Sequence, residues 1–245
     1  MKNLYKATMY RIFKNIYFIA GCVIALVVTL AVTGGFYTFP FLVEKPEELR
    51  MIFVGAAMVL FFSMFPPLFI NPDYIDGCIR NRIIAGYSQK QVYISHVLAQ
   101  LSAMTIMFLC YLIGGIIGGA SFNASSLATV IVLFVAVMSY TVLTATAAFR
   151  LKKLIASMLT TMLLFNLCFN MVLFGNAILS VLKDTAFKIG SVLYNVNALG
   201  QWFCLTGFVD DGVNPGAGIQ ILLSLIVIAA ALIWGLSGLD KRDLN

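Results

Sequence analysis

The chain alternates long apolar runs with short polar segments. Six runs, from Ile16 to Thr33, Met51 to Ile70, His96 to Gly118, Ser126 to Phe149, Leu154 to Phe174 and Ile219 to Leu239, stand out. Each is close to the roughly 20 residues that a helix needs to cross about 30 Å of hydrocarbon. None carries Asp, Glu, Lys or Arg in its middle, where each such residue costs about 2.5–3.5 kcal/mol. The pattern predicts an all-α integral membrane fold with six transmembrane helices. No linker-like stretch divides residues 1–245, so they read as a single transmembrane domain. The first run exceeds the about 7–15 apolar residues of a secretory signal peptide, and it reads as a retained span.

Two segments outside the runs also have helical periodicity. Residues 1–14 place Tyr5, Met9 and Ile12/Phe13 on one face among Lys2, Lys6, Arg11 and Lys14, which predicts a basic amphipathic elbow helix lying on membrane lipid. The segment from Gly175 to Gly218 is long for a loop. Ala177 to Tyr194 mixes apolar residues with Ser180, Lys183, Asp184 and Lys188 at helical spacing. Irregular backbone at membrane depth must be covered by protein or face water, so re-entrant or interfacial helices are expected before span six. Asn195, Asn197, Gly200, Gly207 and the turn Asp210-Asp211-Gly212 read as breaks, and Trp202 and Phe203 suit an aromatic belt.

Composition agrees with a membrane domain: 61% of the 245 residues are hydrophobic and 11% charged, against about 25% charged in soluble domains. The net charge of +6 would suggest nucleic acid in a soluble protein, but the basic residues lie in short segments beside apolar runs. That is a topology signal and gives no nucleic-acid partner. With both termini in the cytoplasm, Lys2, Lys6, Arg11, Lys14, Arg80, Arg82, Lys90, Arg150, Lys152, Lys153, Lys241 and Arg242 face inward, 12 of the 16 basic residues. Lys45, Arg50, Lys183 and Lys188 then face outward with Glu44, Glu47, Glu48, Asp210 and Asp211.

On that assignment Asn71 to Ser95 is the sizeable polar segment on the inner side. Pro66, Pro67 and Pro72 predict a kinked exit at the end of span two. Asp73 or Asp76 can cap a short helix with Ile79, Ile83 and Ile84 on one face and Arg80 and Arg82 projecting elsewhere. Gly86 fits the left-handed position after that helix, and Ser88-Gln89-Lys90-Gln91 reads as a capping box opening span three.

These residues carry a resemblance. Asp76-Gly77-x-Ile79-Arg80-Asn81-Arg82-Ile83-Ile84-x-Gly86-Tyr87-Ser88, followed by Val92-Tyr93-Ile94-Ser95, resembles the loop between spans two and three of bacterial ABC exporter permeases of the type-2 class. The elbow helix, six spans, inner termini and re-entrant outer segment are similar too. Cys78 departs from the small hydroxyl residue expected there, and Gln89-Lys90 from the usual Arg after the Ser. The resemblance implies that Asp76, Gly77, Ile79, Arg80, Asn81, Arg82, Ile83, Gly86, Tyr87 and Ser88 form a coupling helix seated on an ABC ATPase subunit, two copies of which bind ATP and magnesium. The chain contains no G-x-x-x-x-G-K-[ST] loop, consistent with ATP hydrolysis in a separate partner chain and a transport subunit that is not itself an enzyme. It further implies a bacterial cytoplasmic membrane, a second permease copy or close paralogue, and export of amphipathic peptides such as bacteriocins, or of hydrophobic compounds.

The alternative reading is the membrane component of an energy-coupled small-molecule uptake system, of similar size and span number, against which the basic inner loop argues. An intramembrane enzyme would need paired carboxylates, clustered histidines or a Ser/Lys pair at membrane depth, and no such constellation is present. His96, the only histidine, has no carboxylate fixed near it by sequence and reads as structural. The cysteines at 22, 78, 110, 168 and 204 form no C-x-x-C pair, so they supply no metal or cofactor site and read as small hydrophobes. Gly114, Gly115, Gly118 and Gly119 form overlapping G-x-x-x-G patterns, a close-packing signal without a named partner.

Overall fold

The computed structural model describes residues 1–37, 39–121, 123–207, 209 and 211–239. Asp210, Lys241 and Arg242, used above for orientation, lie outside the described residues. Among the described residues the chain is helical with no strand. The helices are α1 (Lys2–Phe13), α2 (Ile16–Thr33), α3 (Glu47–Ser63), α4 (Phe65–Ile75), α5 (Cys78–Ile84), α6 (Gln89–Ile117), α7 (Ala124–Leu151), α8 (Leu154–Leu179), α9 (Asp184–Val196), α10 (Ala198–Leu205) and α11 (Ala217–Leu236). Six segments are long and apolar enough to cross a membrane: α2, the α3–α4 pair, α6, α7, α8 and α11. They correspond one for one to the six apolar runs.

The middle of the bundle is α7, which packs against α3, α4, α6, α8, α10 and α11. Between lipid-solvated helices there is little hydrophobic force, so close approach through small residues and internally bonded hydroxyls decides packing. Helix α7 is built accordingly. Ser139, Thr141 and Thr144 are buried and return their hydroxyls to the carbonyls of Ala136, Val137 and Tyr140 at 2.7, 2.9 and 2.9 Å, which removes their polar demand. Tyr93 on α6 bonds Thr146 at 2.7 Å, and its ring lies against Gly235 of α11, where a Cβ would collide with it.

The glycine patterns of α6 acquire a partner. Gly114 lies against the backbone of Leu26 on α2, and a Cβ on Gly118 would come within 2.8 Å of Thr33 Cβ. Gly115 faces Met51 of α3. The repeat is the seam along which α6 meets α2 and α3.

Span two departs from its expected form. The break falls at Met64, and Pro66 and Pro67 occupy the first turn of α4, where a missing N–H costs nothing. Pro72 lies inside α4, which runs on to Ile75 rather than leaving the bundle near Ile70. At the other end α3 begins at Glu47, with Glu47 and Glu48 in its first turn, favourable to the helix dipole. Arg50 is taken up by the carbonyls of Leu42 and Val43 at 3.1 and 2.7 Å.

The segment from Gly175 to Gly218 is a helix pair, with altered boundaries. Helix α8 continues to Leu179 and α9 starts only at Asp184. Asn197, read as a break, does separate α9 from α10 and caps α10, its Oδ1 accepting from Leu199 N–H at 3.0 Å. It and Asn195 are cross-links as well: Asn195 Nδ2 donates to the Val213 carbonyl at 3.0 Å, and Asn197 Nδ2 to that of Cys168 at 2.7 Å. Gln201 Nε2 lies 2.7 Å from the Asn195 carbonyl and 3.0 Å from Ser224 Oγ, and Gln220 Nε2 bonds Asn195 Oδ1 at 2.9 Å. Trp202 is buried, donating from Nε1 to the Ile52 carbonyl at 2.6 Å, so it packs inside the bundle and not in an exposed aromatic belt. The pair α9–α10 is thus latched to α3, α8 and α11.

The seam gives a direct test. Gly114→Ala drives a methyl into the Leu26 carbonyl and should destabilise by about 1–3 kcal/mol. Gly218→Ala, with no atom within 4 Å of the added methyl, should leave the detergent-solubilised thermal midpoint where it is. Equal midpoints for both variants would remove this seam as a packing determinant.

Candidate functional site at the basic end of the bundle

The segment Asn71 to Ser95 folds as a corner, a short helix and a capped long helix. Gly77, with φ +68°, ends α4 and starts α5 in one residue, its N–H bonded to the Tyr74 carbonyl at 3.1 Å and its own carbonyl accepting from Asn81 N–H at 2.9 Å. Neither Asp73 nor Asp76 caps α5. The corner is made by the left-handed glycine, a conformation cheap only for that residue. At the far end Gly86 has φ +93°. Its N–H reaches the Ile83 carbonyl at 2.9 Å, and Tyr87 N–H that of Arg82 at 3.2 Å, the paired bonds of a Schellman motif. The capping box is present: Gln91 N–H donates to Ser88 Oγ at 3.2 Å and Ser88 N–H to Gln91 Oε1 at 3.1 Å.

Helix α5 has two unlike faces. Ile79 is 1% exposed and packs with Leu4, Ile70, Val92 and Tyr93, and Ile83 and Tyr87 lean on the same cluster. Ile84 is 73% exposed, so it does not share the face of Ile79 as expected. Arg80 and Asn81, four and three residues before it on α5, are also exposed and share its face, and Ile75 at the end of α4 is likewise 73% exposed.

Arg82, expected to project away from the isoleucine face, turns inward to the neighbouring helices. Its Nη1 lies 2.6 Å from His96 Nε2 and its Nη2 3.7 Å from Asp73 Oδ2. A guanidinium can only donate, so His96 Nε2 accepts and the imidazole proton resides on Nδ1. Asp73 also receives Arg11 of α1 at 2.7 Å, and Arg11 extends to Asp76 at 3.5 Å. Asp73 and His96 are 5% and 0% exposed. His96 is therefore not isolated: a carboxylate and an arginine reach it from α4 and α5. Four helices, α1, α4, α5 and α6, meet at this cluster.

The neighbouring residues anchor the cluster to the central helix. Asn71 Nδ2 donates to the Ala148 carbonyl at 3.2 Å, and Tyr74 Oη to that of Phe149 at 2.9 Å. Phe149 meets the rings of Tyr74 and Tyr93 edge-on, with centroids 5.4 and 5.2 Å apart. Arg150 closes the same end onto α11, reaching Ser237 O and Oγ at 2.8 and 2.7 Å. Its guanidinium lies over the Trp234 ring at 4.8 Å.

Of the ten residues singled out by sequence, Arg80 and Asn81 face outward beside Ile84, Asp76 is partly engaged by Arg11, Gly77, Gly86 and Ser88 shape the segment, and Ile79, Arg82, Ile83 and Tyr87 attach it. Sequence reasoning missed Arg11, Asp73 and His96 as a unit. The available signal was charge: Asp73 and Asp76 are the only acidic residues between Glu48 and Asp184, and both sit among arginines. Among the described residues no group of three or more His, Cys, Asp or Glu side chains is placed to hold a metal ion. The chain matches no family model, no curated protein and no solved structure, so the reading of its function rests on its own residues.

Removing one partner of a buried ion pair strands the others and costs about 3–5 kcal/mol. Asp73→Ala, which leaves Arg11 and Arg82 facing each other near His96, should lower the thermal midpoint far more than Arg80→Ala on the exposed face. Indistinguishable midpoints would show that the cluster does not hold the corner.

Proposed function

We propose that the chain is the transmembrane permease subunit of an ATP-driven exporter, and that α5 is the coupling helix which a separate ABC ATPase engages. The observation that carries this reading is the division of α5 into an anchored face and a presented one. A slack inner loop would not need glycine corners at both ends, a buried Ile79 and an arginine locked into a carboxylate. Nor would it hold Ile84 exposed beside Arg80 and Asn81 in a fixed geometry. A short apolar and basic ridge on a rigid mount suits a partner that pushes. Mean polarity alone would not distinguish it from a solvated turn.

On this reading the protein lies in the bacterial cytoplasmic membrane with both termini inside. Helix α1 is the elbow at the inner interface, and α9–α10 is a re-entrant pair in the outer leaflet. Two ATPase copies bind ATP and magnesium, and two permease copies flank one path. Closure of the ATPases moves α5, and the movement reaches the spans as a rigid-body change between two packings. The cargo class implied by the sequence resemblance is an amphipathic peptide or hydrophobic compound, compatible with spans that bury no charge at mid-depth.

The test is co-purification with P-loop ATPases encoded beside the gene. Ile84→Asp and Arg80→Glu should each abolish capture of the ATPase and the substrate-stimulated part of its hydrolysis, with the permease still membrane-inserted and its thermal midpoint unchanged. ATPase capture and transport that persist in the double variant would falsify the assignment.

A further inference from the structure

A groove of about 570 Å³ opens between α1 and α6, lined by Tyr5, Met9, Tyr10 and Phe13 on one side and Thr105 and Ile106 on the other, with Lys6 at its rim. Its wall has little polar demand. Tyr5 Oη and Ser102 Oγ bond each other at 2.9 Å, and Thr105 returns its hydroxyl to the Leu101 carbonyl at 2.8 Å. Tyr10 and Phe13 are 60% and 48% exposed along the flank. The polarity sits at the rim and has one sign. Lys2, Lys6 and Tyr10 recur at four-residue spacing and share that flank, and Lys14 Nζ stands 4.5 Å over the Tyr10 ring. No Asp or Glu precedes Glu44 in the chain. The carboxylates that α1 meets, Asp73 and Asp76, are occupied by Arg11.

We infer that this groove holds an acyl chain of an anionic phospholipid, with the headgroup phosphate at Lys6, Lys2 and Lys14. An apolar, internally satisfied trough beneath an uncompensated row of lysines fits a molecule with a hydrocarbon tail and a negative head. A second copy of the chain would bring the same lysines to the same place and be repelled. Basic residues near an anionic bilayer surface each add a roughly fivefold preference for the charged lipid. Because α1 also holds Asp73 through Arg11, the bound lipid seats the helix that braces the α4–α5 corner. The inference is independent of the exporter reading, since it concerns α1 and α6 and is measured without an ATPase.

The experiment is native mass spectrometry of the full-length protein released from detergent and titrated with phosphatidylglycerol or phosphatidylcholine. The wild type should retain one phosphatidylglycerol in preference to phosphatidylcholine. Lys6→Gln and Lys14→Gln should each cut that preference about fivefold without altering retention of the zwitterionic lipid. Thr105→Phe, or Ile106→Trp if the first is poorly folded, fills the trough and should lower retention of both lipids at an unchanged thermal midpoint. Equal retention of the two lipids by the wild type, a preference that survives both lysine substitutions, or full retention by the filled variant overturns the site. So does a dimer that forms through this face in place of lipid binding.

Discussion

The carboxylate of Asp73 is the point on which the basic end of the molecule depends. It sits almost out of solvent, with Arg11 at 2.7 Å from α1 and Arg82 at 3.7 Å from α5, while Arg82 also donates to His96 on α6. A buried carboxylate with one arginine would be a poor bargain in stability, because desolvation offsets the attraction. Here the arrangement does something that apolar packing would do badly: it fixes the relative positions of four helix ends with directional bonds. Take away the carboxylate and two arginines are left beside a buried imidazole with no negative charge between them.

The two ends of the bundle solve the same problem with different chemistry. At the basic end the contacts are charged. At the opposite end they are amides, with Asn195, Gln201 and Gln220 bonded to one another's side chains or carbonyls and to Ser224. Between them α7 and α6 offer small residues and self-satisfied hydroxyls, so helices approach closely, although the amide of Gln100 on α6 is buried with no hydrogen-bond partner among the described residues. This distribution follows from the solvent. In hydrocarbon the apolar surfaces of helices gain little by meeting, so register must come from shape and from polar links at the ends.

The helices were legible in the sequence because each span is a local property, a run of apolar residues of the right length. So were Gly86 and the Ser88 capping box, whose conformations depend on neighbours a few residues away. What was not legible is non-local. Asp73 looked like a helix cap because aspartate before a short helix commonly is one, yet its partner Arg11 lies in the last turn of α1, with α2 and α3 between them in the chain. Pro72 looked like an exit because proline breaks isolated helices, but packing against α7 through Asn71 and Tyr74 carries α4 past it. Ile84 looked like a companion of Ile79 and Ile83 because three isoleucines in a short helix suggest one apolar face. A seven-residue helix has too few turns for periodicity to separate a core position from a presented one.

That last ambiguity bears on mechanism. A short helix can transmit displacement only if its attachment is stiffer than the contact that pushes it, and the attachment of α5 can be followed atom by atom. A load on Ile84 and Arg80 reaches Ile79 and Arg82 within one turn. From there it passes to α6 through His96, to α4 through Asp73 and to α1 through Arg11. The two glycines bounding α5 are held in a Schellman bond pair at one end and a shared helix corner at the other, so neither acts as a free hinge. Asn71 and Tyr74 then carry the same load to the carbonyls of α7, the helix that touches most of the others. On the proposed exporter reading, an ATPase moving α5 would therefore displace the α1–α4–α6 end of the bundle as a unit against α7, and any rearrangement of the spans has to begin at the α4–α7 contact rather than within the loop.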